Sequence, residues 1–147
     1  MQLSELVRTL RLEYHDTEES SPLLGDEQLK RAITQSLVAV KKDVQQTFGL
    51  SLEGVISPDP EPEDRELIIL YGLAVVCRMM QAQTARGFSF SSGDKRIDKT
   101  KQPSYWAELG RGYLDQYRLA VQERNPEYGL GVPSVTPMIY GSDDASL

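Results

Sequence analysis

Residues 66–86 read ELIILYGLAVVCRMMQAQTAR, and no side chain from Leu67 to Cys77 carries a charge. Its apolar residues fall all round a helix instead of along one stripe. A helix with no polar face belongs at the buried centre of a bundle. The uncharged run is also well short of the ~20 residues that a membrane span needs. Gly72 sits in its middle and would cost up to ~1 kcal/mol relative to Ala, unless a neighbouring helix uses the missing side chain to come close. The stretch therefore predicts a central helix over residues 63–86, ended by Gly87.

The flanking sequence supplies helices that can cover it. Upstream, LSELVRTLRLEY places Leu3, Leu6, Val7, Leu10 and Tyr14 on one face, the i, i+3, i+4, i+7 signature of an amphipathic helix. An acidic loop follows, and then DEQLKRAITQSLVAVKKDVQQTF. Its stripe is Leu29, Ile33, Leu37, Val40, Val44 and Phe48, with Gly25 as N-cap, Asp26 and Glu27 in the first turn, and Gly49 as terminator. Pro58, Pro60 and Pro62 forbid a regular helix or a central strand, so residues 57–63 read as an extended, polyproline-like connector. Downstream, FSFSSGDKRIDKTKQPSYW (88–106) reads as a long loop. A last helix is predicted from near Pro103, with Trp106, Leu109, Tyr113, Tyr117 and Ala120 or Val121 as its stripe. Gly110 and Gly112 would mark a close contact or a bend in it.

After Asn125 the periodicity stops. The remainder is broken by Gly, Pro and Ser, yet keeps Tyr128, Leu130, Val132, Val135, Met138, Ile139 and Tyr140. A merely solvated tail is usually poorer in large apolar residues, so these seven are candidate partner-binding residues. The expected architecture is all-α: a bundle of about four helices over residues 1–125 and an extended, partner-docking tail over 126–147.

Composition limits the chemistry. The 147 residues suffice for one domain, and the net charge of −6 argues against a general DNA-coating role. Charges at Glu5, Arg8 and Arg11 come too early for a secretory leader. Cys77 is the only cysteine and His15 the only histidine, too few for a zinc site. Mid-helix among apolar neighbours, Cys77 reads as inert core. The acids at Asp59, Glu61, Glu63 and Asp64 lack the order of a calcium loop, and SSGDK lacks the second glycine and strand–helix setting of a phosphate loop. Lys95, Arg96, Lys99 and Lys101 form the one dense basic patch. It reads as solvated surface, as a contact to nucleic acid, or as a partner for the acidic connector of another copy. No catalytic residue, cofactor site or metal site is assigned.

Two parts of the chain resemble the head–tail connector proteins (adaptors, or head-completion proteins) of tailed bacteriophages. The first is a short helix, an acidic loop and an acid-started helix carrying Asp26, Glu27, Leu29 and Ala32. The second is an all-apolar helix, then Gly93, Asp94, Lys95, Ile97, Asp98, Lys99 and Thr100, then an aromatic-rich last helix. The likeness runs over residues 3–121, with the proline-rich connector as a departure. It implies a virion protein of the neck, made in the host cytoplasm. Its subunits form a ring matched to the twelvefold portal, extend the DNA channel and offer a platform to a stopper or tail protein. Such a ring has no enzymatic activity and no membrane, and DNA only passes through it. The alternative is a small, ring-forming DNA-recognition subunit of a packaging motor. That would want a helix-turn-helix and a basic face, and neither is evident.

Overall fold

Three amphipathic segments and one apolar segment fold as four helices. The computed structural model describes residues 1–16, 22–89 and 96–129, with side chains over the same ranges except 87–89 and 96–101. The all-α bundle is the architecture observed.

The helix α1 spans Leu3–Glu13, and its predicted stripe is the buried one: Leu3, Leu6, Val7 and Leu10, with Tyr14 at the C-cap. The helix α2, Asp26–Val44, starts where the sequence places it. The Gly25 N–H donates to Gln28 Oε1 at 2.9 Å, while Asp26 and Glu27 occupy the first turn. It ends at Val44 and not at Phe48, because Gln45 adopts a left-handed conformation (φ 59°). Gly49, read as the helix terminator, instead opens a short strand.

That strand, β1 (Gly49–Leu50), pairs antiparallel with β2 (Ile56–Ser57), Gly49 facing Ser57 and Leu50 facing Ile56. The start of the chain joins this hairpin. The Ile56 N–H donates to the Met1 carbonyl at 2.8 Å, and the Leu3 N–H to the Gly54 carbonyl at 2.8 Å. Buried Ile56 thereby sits under the first turn of α1. The connector is shorter than predicted: Ser57 ends β2, the Ser57–Pro58 bond is cis, and Pro62 is the first residue of α3. Proline suits that position, where its missing N–H would have no partner anyway.

The helix α3 runs over Pro62–Ser89 and α4 over Arg96–Arg124. Both are longer than the sequence signals imply. Gly87 does not stop α3, and Pro103 lies inside α4 instead of starting it. The expected 88–106 loop is thus mostly helix. The local penalties of glycine and proline are overridden by packing, since α3 and α4 lie against each other along their length. Three cross-helix contacts fix an antiparallel register: Asp64 with Arg124, Tyr71 with Tyr117, and Cys77 with Gly110.

The helix α3 is the hub, touching α1, α2 and α4. By length and composition, Pro62–Arg86 also passes as a membrane span, with mean hydropathy 1.4. Its packing explains that composition: Leu67, Ile68, Leu73, Val75, Val76, Cys77 and Met80 are all buried among the other helices. Burial is not all-round, however. Ile69, Leu70, Tyr71 and Ala74 are only half-buried, because α2 and α4 flank α3 while hardly meeting each other.

The two glycines singled out as possible close contacts divide cleanly. A Cβ on Gly110 would lie 2.9 Å from Cys77 Cβ, whereas one on Gly112 would meet nothing within 4 Å. Gly72 likewise faces Leu10 Cδ1 at 3.4 Å and Ile33 Cδ1 at 3.6 Å, the close approach that its composition implied. Gly110→Ala should therefore lower stability by about 1–3 kcal/mol through overpacking, despite its better helix propensity. Gly112→Ala should raise it by up to ~1 kcal/mol. Urea unfolding of the two variants checks both signs, and Cys77→Ala should fail to rescue Gly110→Ala because the clashing atom is Cβ.

Candidate functional site

Among the described residues no cluster of His, Cys, Asp and Glu could hold a metal ion. His15 is exposed in a left-handed turn (φ 62°) just past α1. Cys77 is buried, and burial pushes its thiol up to about 11, which keeps it protonated and unreactive at neutral pH.

Three acids form the polar joints of the bundle. Asp16 is buried and accepts from Arg11 Nη1 and Tyr14 Oη, both at 2.6 Å, and from the Leu23 and Leu24 N–H groups at 2.9 and 3.3 Å. Arg11 also reaches the Leu24 carbonyl at 2.9 Å and Asp26 at 2.6 Å. This closes the chain between α1 and α2 around one carboxylate. Burial opposes the charge on Asp16, but the Tyr14 and backbone hydrogen bonds and the Arg11 charge outweigh it and hold the group below its ordinary value. Asp43, near the end of α2, accepts from Tyr117 Oη at 2.7 Å, and its carbonyl accepts from Asn125 Nδ2 at 2.8 Å. Asp64, buried in the first turn of α3, pairs with Arg124 at 2.5 Å. Each of these carboxylates ties two parts of the chain together through charge-assisted hydrogen bonds.

The acidic connector is consequently not free as a unit. Asp64 is committed to Arg124, and Asp59 takes the Met1 ammonium. Glu61, Glu63 and Glu66 remain exposed, without an ion-pair partner among the described residues. Of the basic patch, Arg96 begins α4 and Lys99 and Lys101 follow in the same helix, so this is a helix start and not a loop. Lys95 lies outside the described residues. The hairpin register puts the 96–101 segment at one end of α3–α4 and the 59–66 segment at the other. A helix of 28 residues separates them by ~40 Å.

A groove opens between α2 and α4, with Tyr71 of α3 in its wall. A volume of about 610 Å³ is lined by Val38, Ala39, Tyr71, Leu114, Tyr117 and Tyr128, with Thr34, Gln35, Lys42, Asp43 and Arg118 at its rim. It shares Tyr71 and Leu114 with a second hollow of about 330 Å³ that carries Trp106, Arg78 and Arg111. Of the half-buried residues of α3, Tyr71 opens into this groove. Val38, 64% exposed, stands on its lip. Of the predicted α4 stripe, Tyr117 is buried in the core and Tyr113 and Trp106 are half-buried against it, while Tyr105 packs edge-on against Trp106 at 5.2 Å and stays exposed.

Of the predicted tail residues only Tyr128 is described. It is half-buried against the core and lines the groove. Leu130, Val132, Val135, Met138, Ile139 and Tyr140 lie outside the described residues. The polar joints and the groove had no clear signal in the sequence. Asp43 and Tyr117 are 74 residues apart, and a groove depends on how far two helices splay. No family model, characterised protein or solved structure matches the chain.

Asp16→Asn should destabilise the fold by about 1–3 kcal/mol at neutral pH by removing the charge from these hydrogen bonds. The wild-type contribution is fully present above the unfolded carboxyl value near ~3.9 and is lost as pH falls through the depressed folded value. The deficit of the variant should therefore be largest at pH 7 and shrink below about pH 4, read from urea midpoints at the two pH values.

Proposed function

We propose that the chain is a structural subunit of a phage neck: a head–tail adaptor that forms a ring beneath the portal, extends the DNA channel and carries the next neck or tail protein. The observation that supports it is the electrical polarity of the α3–α4 hairpin. Exposed Glu61, Glu63 and Glu66 stand at one end, and the segment bearing Arg96, Lys99 and Lys101 stands at the other. A ring joins unlike faces head to tail, so each subunit needs two different, mutually complementary surfaces. An antiparallel hairpin with opposite charges at its ends supplies them on one rigid unit.

Two further observations agree with this reading. The open, half-buried flank of α3 leaves apolar surface that a neighbour can cover. The net charge of −6 suits a channel along which DNA must slide without sticking. The packaging-motor alternative would use a basic face to bind DNA.

The test is assembly. Purified protein mixed with portal should give a ring at the portal vertex in negative-stain images, with twelvefold symmetry. Reversing Arg96, Lys99 and Lys101 to Glu, together with Lys95, should reduce ring formation at least tenfold at moderate salt and leave the helical circular dichroism unchanged. Rings formed equally well by the reversed protein would remove the charged ends from the assembly mechanism. A monomer that never attaches to portal, yet retards DNA in a gel, would favour the packaging-motor subunit.

A further inference from the structure

Leu52 is the most exposed large apolar residue described, and it stands where turn chemistry favours Pro, Asn, Asp or Ser. Residues 51–54 form the tight turn between β1 and β2, closed by the Gly54 N–H on the Ser51 carbonyl at 3.1 Å. The Val55 N–H donates to Ser51 Oγ at 3.0 Å, and Gly54 takes a left-handed conformation (φ 84°). The Leu3 N–H ties the turn to the start of α1 through the Gly54 carbonyl at 2.8 Å. Leu52 and exposed Glu53 are thus presented outward on a turn that is already ordered. A local rule broken at a rigid, protruding position points to a residue that serves contact and not folding.

We propose that the Leu52–Glu53 knob of one subunit seats in the α3–α4 hollow of a second copy. The leucine lies against the wall of Tyr71, Ala74, Trp106 and Leu114, and the carboxylate between Arg78 and Arg111. The inference rests on the ring reading, which gives each subunit such a neighbour. Several features select this occupant. Charge is complementary, since Arg78 and Arg111 are exposed and neither forms an ion pair with a described residue; two guanidiniums around one carboxylate make strong, charge-assisted hydrogen bonds. Size fits too. At about 330 Å³ the hollow is at the small end of binding pockets, which run to ~1,000 Å³, so it takes the side chains of a turn and not a whole helix. Leu52 is fully exposed and hence not seated in its own subunit's hollow. Knob and hollow are different surfaces, so the contact is head to tail, the kind that a ring repeats. The spacing agrees with the charged ends. Along α4 the step from Lys99 to Arg111 is ~18 Å, and along the chain Leu52 and Glu61 are at most ~32 Å apart. One neighbour can therefore set its glutamates against the basic start of α4 and its knob in the hollow together. The turn is ordered beforehand, which spares the contact that entropy cost.

Assembly on portal and a directed cross-link test the contact. Leu52→Asp, at a fully exposed position, should raise about tenfold or more the subunit concentration at which half of the portals carry a ring, with an unchanged thermal transition. Glu53→Arg and Arg111→Glu should each do the same. The two together in one chain should recover assembly to within about threefold of wild type, as a restored pair does. For the cross-link, Leu52→Cys protein is mixed on portal with tagged Gln81→Cys protein under mild oxidation. Gln81 is exposed and lines the hollow, and Cys77 is buried. The expected product on a non-reducing gel is a disulfide between the two different chains, in excess over pairs of identical chains. Rings that form equally well with Leu52→Asp, a double variant that recovers nothing, or a mixture that gives only identical pairs or no cross-link would each overturn the knob and leave the adaptor reading standing. Wild-type protein that stays monomeric with and without portal would overturn both.

Discussion

Everything in this structure follows from one constraint: α3 is apolar on more sides than its neighbours cover. A surface helix needs one partner, but α3 needs several. The bundle meets the need by placing α1 and α2 on one side and α4 on the other. Gly72 admits Leu10 and Ile33, and Gly110 admits Cys77. Close approach is thus arranged on both sides of the hub by removing side chains. What remains is a geometric residue. Two helices that flank a third while hardly meeting leave a trough above it, and Tyr71 of α3 lines that trough.

Hydrophobic packing of this kind is nondirectional and would tolerate slippage of α4 along α3. The polar joints remove that freedom. Asp64 with Arg124 fixes one end of the hairpin, and Tyr117 with Asp43 ties α4 to α2. Asp16 does the corresponding work between α1 and α2, with Arg11 bridging onward to Asp26. The two buried acids, Asp16 and Asp64, are each paired with an arginine, so specificity is gained without the desolvation penalty of a lone ion. Ser36 shows the same economy in the core. Fully buried on α2, its hydroxyl donates to the Ile68 carbonyl of α3.

The helices and their buried faces were legible because periodicity is a local signal. Leu3, Leu6, Val7, Leu10 and Tyr14 are buried as the spacing demands, and Gly25 caps α2. The boundaries failed wherever a tertiary term outweighed a local one. Gly87 and Pro103 are breakers by propensity, yet both lie within helices that are packed against each other. Gln45, which carries no terminating signal, ends α2. The small hairpin at 49–57 escaped notice because two-residue strands have no period to read. The basic residues are visible in the sequence as a cluster, but Pro103 and Gly93 conceal that Arg96, Lys99 and Lys101 lie on a helix. The groove and the Asp43–Tyr117 joint depend on helix splay and on long-range register, which no window of sequence contains.

The corrected setting changes the energetic case for subunit contact. Charged residues on a loop must be ordered before they can pair, at about 1–2 kcal/mol per residue for the backbone. Arg96, Lys99 and Lys101 ride on a helix already held by α3, so a contact made there is preorganised. The acidic end has moved the other way, since Asp59 and Asp64 are spent inside the subunit and three glutamates are left. Exposed pairs contribute about 0.2–1 kcal/mol each, so three of them orient a neighbour but cannot hold it. Holding requires apolar area on the scale of a standard interface, roughly 800 Å² from each partner. The α2–α4 groove, with Val38 exposed at its lip and Tyr71 and Leu114 in its wall, is a part of the described surface where such area begins to accumulate. On the adaptor reading, charge sets the direction of assembly and this apolar flank supplies its strength. Salt should therefore slow the encounter of subunits more than it loosens a finished ring.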